Sequence, residues 1–541
     1  MVKTAAFILL LSSIVESRLI LPYNHAVDSF SDAAPSSWDD RVNQVLDFVS
    51  AQHAQSGSPG WALSVVHGND TLISQGFGVN EFGNPSNPVT QDSMFQIGSV
   101  SKTMLTVGFA TLVDSGRLKW TDTVKQHLPW FELVDKYAEK YTTLADLLAM
   151  NSVFGEGDGE MPQCLGVFKS ERDQVEKLKF FPTDRSFRQG YDYSNMNFVI
   201  LGQVLATATN QTWGEYLVNA VFKPLGMHNT FPSAVGTSLS SRAFGHYVCD
   251  GKVAGPFDVA QTKYSGLQPY GNAAGSIVSS IHDMAIFSKF LLHKGQPLLQ
   301  SSQAISDMIT GHEIQTMFAG EEGVAWGYHF HPSGGALGAG YGLDVVGTGA
   351  MYPGVDYFDK NGDTATHQTR TAFVPSHNLG LVLFNNGQLR DKGSNVQRLS
   401  HVRSYALGLL LGLPRAQLQA AWDASVAAAD ATPAEPCDAH IYDHAPWVPS
   451  YVLTLDDKAW LRGTYKATVA TEYNGQAIVY DSTNGTLHLK YGDFDGPLVA
   501  LSKTAFAWDI FVMGASFLFD VAKNASGGPV INIGYELVKV A

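Results

Sequence analysis

A change of sequence pattern around residues 416–450 divides the 541-residue chain into two unequal parts. An alanine-rich helical stretch is followed there by Thr-Pro-Ala-Glu-Pro at 432–436, which is typical of a linker. Beyond it, short strand-like runs are separated by Asn-Gly dipeptides, the pattern of strands joined by tight turns. These runs lie at 464–469, 477–480 and 486–490. We therefore predict an all-β domain over residues 451–541.

The longer part before this boundary mixes helical and strand-like periods. Ser37 and Asp40 resemble a capping box, and apolar residues at helical spacing follow them. Mainly helical patterns, broken by Gly- and Pro-rich loops, run from about residue 99 to residue 300. Strand-like runs flank that stretch on both sides, at 61–66, 71–76, 371–374 and 379–384. We predict a mixed α/β (α+β) fold, with an antiparallel sheet built from both ends of this part, helices packed on it and a helical subdomain inserted between.

The first 17 residues predict a signal peptide. Lys3 supplies the positive start, and residues 5–15 form an apolar stretch that is too short to span a bilayer. Four Asn-x-Ser/Thr sequons fit glycosylation along a secretory route. They lie at Asn69, Asn210, Asn484 and Asn524. We therefore expect a secreted, N-glycosylated protein.

The charge balance narrows the classes of partner. Thirty-five basic against 50 acidic residues leave a net charge of −15, with no run of Lys or Arg. This balance argues against nucleic acid or an anionic membrane as a partner. Cys164, Cys249 and Cys437 permit one disulfide in any of three pairings, with one thiol left over.

Two groups of histidines and cysteine have faintly metal-like spacing. His329 and His331 could lie on one face of a strand, and Cys437 is followed by His440 and His444. Each group lacks the remaining ligands of a metal site, so we predict no metal and no other cofactor.

The first candidate for a catalytic motif is an S-x-x-K pattern, Ser99-Val100-Ser101-Lys102, at the start of a predicted helix. Residues three apart share a helix face, so Ser99 and Lys102 can touch. A serine hydroxyl is a weak nucleophile until a neighbouring base takes its proton. A lysine can act as that base if burial and a nearby cation lower its pKa. The free N–H of Ser99 at the helix start can also donate to an oxyanion.

A second motif, Tyr193-Ser194-Asn195, supplies a phenol and an amide. A phenol suits proton shuttling between nucleophile, leaving group and water, and Asn195 can orient Lys102 or a substrate amide. An S-x-x-K by itself also fits a capped helix with a solvated lysine, and the tyrosine by itself fits a buried aromatic loop. The two motifs together favour catalysis.

With these motifs the chain resembles the serine β-lactamase and penicillin-binding-protein superfamily, especially its class C-like esterases and peptidases. Further similar stretches are 76–79, 88–90, 97–103, 143–148, 225–227 and 272–276. The resemblance covers about residues 40–415 and implies a β-lactamase-like catalytic domain over 37–415, with a linker at 416–450. The residues after 450 resemble the lipocalin-like barrel that some family peptidases carry, which either narrows access to the cleft or stabilises the protein.

The resemblance also implies a third element, a K-T-G or H-x-G on a strand at the edge of the site. Lys360-Asn361-Gly362 fits the spacing to the later strands, although Asn-Gly is also a strong hairpin-turn signal. The rival is Gly347-Thr348-Gly349, which lacks the cation. If Lys360-Asn361-Gly362 is the third element, the backbone N–H of Asp363 is the second donor to the oxyanion. The acidic Asp363, and Met-Asn-Ser-Val at 150–153, depart from the family pattern and put lactam antibiotics in doubt as substrates.

The sequence therefore predicts a serine hydrolase that acts on a small ester, amide or peptide through an acyl-enzyme on Ser99. Lys102 and Tyr193 are the predicted base pair, and the predicted substrate-binding residues are Asn195, Lys360, Gly362 and Asp363. Two alternatives stay open. One is an acyltransferase of the same fold that passes the acyl group to an alcohol or amine, and the other is an inactive binding protein.

Overall fold

The computed structural model describes residues 37–261, 263, 271–329, 337–434, 436–512 and 515–540. The predicted signal peptide, residues 1–17, lies outside the described residues. The described chain forms a larger α/β domain followed by a β-barrel. Across these ranges, no helix has both the length and the apolar character needed to cross a bilayer.

Helices and strands interleave along the larger domain. Its strands are β1 (Gly60–His67), β2 (Asp70–Gly78), β3 (Met94–Gln96), β4 (Gly245–Cys249), β5 (Lys252–Phe257), β6 (Val278–Ser280), β7 (Glu313–Gln315), β8 (Leu337–Gly340), β9 (Leu343–Thr348), β10 (Asp356–Asp359), β11 (Asn361–Asp363), β12 (Gln368–Val374), β13 (Leu379–Asn385) and β14 (Gly387–Leu389). Its helices are α1 (Trp38–Ser56), α2 (Val100–Asp114), α3 (Val124–His127), α4 (Lys136–Tyr141), α5 (Leu144–Leu148), α6 (Glu160–Cys164), α7 (Glu171–Glu176), α8 (Asn195–Thr209), α9 (Trp213–Leu217), α10 (Lys223–Leu225), α11 (Ile281–Leu292), α12 (Gln303–Met308), α13 (Glu321–Ala325), α14 (Gly393–Val396), α15 (Arg398–Leu410) and α16 (Arg415–Ala429). Single 3-10 turns lie at Leu178–Phe180, Leu239–Ser241 and Pro375–His377, and a π-helical turn lies at Val218–Phe222.

The central sheet joins the two ends of the larger domain. Its strand order is β2-β1-β13-β12-β10-β9-β8-β7, with β11 also paired to β12. β1 runs antiparallel to β13, with Trp61 opposite Asn385. Successive side chains of a strand point to opposite faces, and both faces of β1 are covered. Ala62 packs in the cluster that contains Phe287 of α11, whereas Leu63 packs in the cluster that contains Val45 of α1.

A helical subdomain lies between β3 and β6 in the chain, and the two strands pair with each other. Its apolar side chains belong to the same buried cluster as one face of the sheet, so sheet and subdomain share one core. The predicted fold class, an antiparallel sheet flanked by helices with an inserted helical subdomain, is confirmed.

The C-terminal part is a closed eight-stranded barrel. Its strands are β15 (Gly463–Ala467), β16 (Gln476–Asp481), β17 (Leu487–Tyr491), β18 (Phe494–Ala500), β19 (Ala505–Val512), β20 (Ala515–Lys523), β21 (Pro529–Asn532) and β22 (Glu536–Lys539). Short helices precede or interrupt it: α17 (Ala439–Tyr442), α18 (Leu455–Leu461) and α19 (Thr471–Asn474). β15 pairs with β22 to close the barrel around a core that includes Leu489, Trp508 and Ile531. The prediction of an all-β, lipocalin-like domain is confirmed.

Between the two units, the alanine-rich stretch folds as α16 on the larger domain. Leu418 is buried, and the ring of Trp422 lies 5.9 Å from that of Tyr405 on α15. The domain bounds, including a linker over 416–450, remain predictions. The structure also chooses one of the three possible disulfides, because Cys249 at the end of β4 is bonded to Cys437. Cys164 is left as the free thiol.

We expect the Cys249–Cys437 disulfide to stabilise the protein by about 2–4 kcal/mol, because it closes a long loop in the unfolded chain. Thermal melting with and without dithiothreitol measures this, and the reductant should lower the melting temperature. Cys164→Ser is the matched control, which should keep the full response to the reductant. If the melting temperature of Cys164→Ser no longer responded to the reductant, the pairing would be contradicted.

Candidate active site

The S-x-x-K serine lies in a turn that joins a buried strand to a buried helix. β3 ends at Gln96 and α2 begins at Val100, with Ser99 at its N-cap. α2 is apolar on nearly every side, so Lys102 is carried fully into the interior. Its Nζ lies 2.9 Å from Ser99 Oγ. The predicted contact along one helix face is present.

Two further oxygens surround the Lys102 amine. Asn195 Oδ1 lies 2.6 Å and the Ala274 carbonyl 2.7 Å from Nζ. Burial, together with the charge of Lys360, lowers the pKa of Lys102 well below its usual range. A neutral amine can donate its two N–H bonds to Asn195 and Ala274, and its lone pair then faces Ser99 Oγ. The surroundings of Lys102 therefore suit a base.

Tyr193 closes the other side of the serine. Its hydroxyl donates to Ser99 Oγ over 2.6 Å. Both amines lie near the ring, with Lys102 Nζ 5.0 Å and Lys360 Nζ 4.8 Å from its centroid. Burial and the charge of Asp344 raise the pKa of the Tyr193 phenol well above its usual range. The phenol is therefore protonated at neutral pH and can give up a proton only during the reaction.

The element that contains Lys360 lies directly against the serine turn. A Cβ on Gly362 would lie 2.0 Å from the Ile97 carbonyl, so only glycine permits this approach of β11. Lys360 is buried, with Nζ 2.5 Å from Asp344 Oδ1 and 3.5 Å from Tyr193 Oη. By contrast, Gly347 and Thr348 of the rival element are exposed at the end of β9. The structure thus brings Lys360 and Gly362 to the site.

Asp363 follows on the same strand, but its side chain is occupied elsewhere. Its carboxylate accepts bonds from Arg370 at 2.9 Å and 3.2 Å. Its backbone N lies beside the turn, since a Cβ on Gly98 would be 2.8 Å from it. The Ser99 N–H has no hydrogen-bond partner among the described residues. The backbone N–H groups of Ser99 and Asp363 therefore lie where an oxyanion would be held.

Three supporting side chains are not among the residues that the sequence predicts. Glu160 accepts a bond from Asn195 Nδ2 over 2.8 Å, Asp344 pairs with Lys360, and Arg370 holds Asp363. Asp344 carries a signal, because a lone charge inside the apolar run of β9 indicates a buried ion pair. Glu160 and Arg370 carry no comparable signal.

A cavity of about 370 Å³ opens beside Tyr193. It is lined by Glu156, Tyr191, Asp192, Tyr193, Thr316, Met317, Ala319 and Glu322. None of these lining side chains is basic. Asp192 is neutralised by Arg185 at 2.5 Å, whereas Glu156 and Glu322 form no ion pair with any described residue. The cleft is therefore acidic.

The two weak metal patterns gain no support in the described ranges, where no three His, Cys, Asp or Glu side chains are grouped as a metal site would require. Cys437 is bonded to Cys249, and the His440 ring stacks on Trp447. His331 lies outside the described residues.

Comparison with known proteins identifies a family model and relatives of this chain. A family model described as Beta-lactamase matches residues 45–402. The chain is 26% identical over 255 residues to the unguisins hydrolase ungD' of Aspergillus campestris, covering 44% of this chain and 45% of that protein. It is 24% identical over 240 residues to a beta-lactamase of Psychrobacter immobilis, covering 44% of this chain and 55% of that protein. The chain thus spans about half the length of these curated relatives.

Solved structures share the fold. The octameric penicillin-binding protein homologue from Pyrococcus abyssi matches with a TM-score of 0.53 and 18% identity, over 92% of this chain and 100% of that chain. The D-amino acid amidase from Ochrobactrum anthropi matches with a TM-score of 0.55 and 20% identity, over 69% of this chain and 99% of that chain. At these identities the similarity shows the fold alone.

Proposed function

The chain belongs to the Beta-lactamase family of serine hydrolases and acyl-transfer enzymes, and we propose that it hydrolyses a small ester, amide or peptide bond through an acyl-enzyme on Ser99. One observation carries the proposal. The Lys102 amine and the Tyr193 hydroxyl both lie within hydrogen-bond distance of Ser99 Oγ, at 2.9 Å and 2.6 Å. Such a nucleophile with its base in contact is the arrangement that covalent catalysis needs.

Acylation follows from the hydrogen bonds around Ser99. Lys102 takes the hydroxyl proton as Ser99 Oγ bonds to the carbonyl carbon of the substrate. The resulting oxyanion accepts bonds from the N–H groups of Ser99 and Asp363, each worth about 100- to 1000-fold in rate. Tyr193 gives its proton to the leaving alcohol or amine as the bond breaks, and the Lys102 ammonium restores that proton.

Deacylation uses water as the nucleophile and Lys102 again as the base. Tyr193, whose hydroxyl lies 2.6 Å from Ser99 Oγ, orients the water. Lys102 takes a proton from this water as its oxygen bonds to the acyl carbon. The carbonyl–Oγ bond then breaks, the proton returns to Ser99 Oγ, and the acid leaves.

Labelling with a fluorophosphonate probe tests the proposal. Peptide mass mapping should place a single adduct on Ser99, and Ser99→Ala should remain unlabelled. Ser101→Ala is the matched control, because Ser101 Oγ is a buried acceptor for the Ile277 N–H and lies off the reaction path. An adduct on another residue, or labelling of Ser99→Ala, would overturn the proposal. Product analysis with and without an added amine acceptor then distinguishes hydrolysis from acyl transfer.

The charge of the cleft supports a neutral or cationic substrate. Glu156 and Glu322 lack counter-ions among the described residues, so they would repel a carboxylate and attract an ammonium group. The carboxylate of Asp363, on the strand edging the serine, is paired with Arg370 and so contributes little to this potential. We therefore propose that carboxylate-bearing lactams are poor substrates.

We expect Glu156→Gln to raise KM for an aminoacyl ester about two- to fivefold, because an exposed ion pair is worth about 1 kcal/mol or less. KM for an uncharged ester of the same leaving group should not change. The matched control is Glu321→Gln, which removes an exposed charge next to a cavity residue without itself lining the cavity. Equal KM changes for both esters would contradict a role for this charge.

We also propose that the protein is secreted. The disulfide between Cys249 and Cys437 supports an oxidising compartment. Three of the sequon asparagines, Asn69, Asn210 and Asn484, are exposed and accessible to a glycosyltransferase. A fall in apparent mass of the secreted protein after glycosidase treatment is the expected result, and an unchanged intracellular protein would contradict the proposal.

A further inference from the structure

One tyrosine of the barrel is buried in the larger domain. Tyr473 lies on α19, between the first two strands of the barrel, yet its side chain belongs to the core cluster of the larger domain. Its ring packs against Phe168 at 4.9 Å and Phe181 at 4.7 Å between centroids. The side chain is fully buried. Tyr473 thus connects the two units of the protein.

The hydroxyl of Tyr473 has two partners in the larger domain. It donates to the Gly159 carbonyl over 3.1 Å and accepts from Gln174 Nε2 over 3.2 Å. Gly159 has a φ of +69°, and a Cβ on it would lie 2.3 Å from this hydroxyl. Only glycine at position 159 therefore allows the barrel tyrosine to approach this turn so closely.

The turn held by Tyr473 begins α6, whose first residue is Glu160. Glu160 Oε1 accepts from Asn195 Nδ2 over 2.8 Å, and Asn195 Oδ1 in turn contacts Lys102 Nζ at 2.6 Å. A continuous series of hydrogen-bonded groups thus leads from the barrel to the amine beside Ser99. Because Glu160 accepts from the amide nitrogen of Asn195, the position of Glu160 keeps the amide oxygen turned to Lys102.

The barrel also holds the other end of α6. The Asp493 N–H, in the turn between β17 and β18, donates to the Leu165 carbonyl over 2.9 Å. Leu165 is buried in the barrel's own core cluster. Both ends of this short helix therefore depend on barrel residues for their position.

We propose that Tyr473 is a positioning residue for the Lys102 amine, acting through the Gly159 turn, Glu160 and Asn195, so that the barrel completes the active site. This rests on the proposed function. Without the hydroxyl, the Gly159 carbonyl loses its bond from Tyr473, the Gln174 amide loses one of its acceptors, and the turn loosens. Water that then enters beside Glu160 would hydrate Lys102 and raise the pKa that burial holds down.

Tyr473→Phe, which removes only the hydroxyl, tests the proposal. The readout is the rate of Ser99 labelling by a fluorophosphonate from about pH 5 to about pH 9. We expect the rate to fall about 5- to 20-fold and the acid limb of the profile to move to higher pH by about half a unit or more. Tyr465→Phe is the matched control, because that buried tyrosine bonds to the Leu461 carbonyl inside the barrel. It should change thermal stability without moving the acid limb.

A Tyr473→Phe protein with the wild-type rate and acid limb would overturn the inference. So would an equal fall in both variants with an unshifted limb, since that pattern reports lost stability alone. If Tyr473→Phe is unstable, Gln174→Leu, which removes the hydroxyl's other partner, should give the same shift in a smaller amount. Failure of the wild-type protein to label at Ser99 would instead overturn the proposed function itself.

Discussion

Lys102→Met should slow acylation of Ser99 by about 10²- to 10⁴-fold, the usual contribution of a general base. The amine is the base because burial and Lys360 keep its pKa low, so the neutral form is available near neutral pH. Since the neutral amine is the active form, the wild-type rate should fall as the pH drops through this lowered pKa. The measurement is the pH dependence of the single-turnover rate on a p-nitrophenyl ester. In Lys102→Met the acid limb should vanish.

Lys102→Arg separates the charge from the base. A guanidinium keeps the hydrogen-bond donors for Asn195 and Ala274 but stays protonated at every accessible pH. We expect it to be as slow as Lys102→Met. Recovery of more than about a tenth of the wild-type rate by the arginine variant would contradict a base role for Lys102. Thermal melting of each variant shows whether the fold is retained.

Arg403→Met should destabilise the protein by about 3–5 kcal/mol, because it leaves a buried carboxylate without its counter-charge. Arg403 and Asp359 are both fully buried, with Nη1 2.8 Å from Oδ2. Burial raises the pKa of Asp359 to about 6. Because this pKa is still below neutral pH, the carboxyl is ionised there. Arg403 Nη1 also donates to Asn361 Oδ1 over 2.8 Å, which links the loss to β11 and to Lys360 just before it. Urea unfolding followed by tryptophan fluorescence measures the loss.

Arg398→Met is the matched control on the same helix. Arg398 is partly exposed and donates to Asn395 and Gln52, which are neutral side chains. Its loss should cost about 1 kcal/mol or less. The double variant Asp359→Leu with Arg403→Met should recover part of the stability, as replaced buried pairs do. Equal losses in the two single arginine variants would show that the ion pair is not the cause.

Local relationships made part of the site predictable. Ser99 and Lys102 are three residues apart on one helix, so their contact follows from helix geometry alone. Tyr193 and Asn195 form a short motif that identifies the two residues but not their contacts with the serine segment, because those contacts depend on how α8 and the residues before it pack against α2. Glu160 could not be predicted, because its contact with Asn195 exists only once α6 and α8 are packed together.

The same distinction holds for the fold. Strand-like apolar runs predicted the strands on both sides of the helical stretch, and strand-like runs separated by turn dipeptides predicted the barrel strands. The Asn361-Gly362 pair shows the limit of local signals. This dipeptide favours a hairpin turn, yet here it forms a strand paired with β12. Gly362 is required by the close approach to Ile97, a tertiary contact that the turn statistics do not include.

The pairing of β1 with β13 has a consequence for how the protein is made. Gly60 N and Asn386 Oδ1, at one end of this pair, are bonded although they are 326 positions apart. At about 5–20 residues per second, the ribosome needs about 15–65 seconds to synthesise the intervening chain. Until then β1 has β2 as a neighbour on one edge only, and its other edge has no strand to pair with. Residues 60–66 therefore present an unpaired strand edge during synthesis, which favours aggregation.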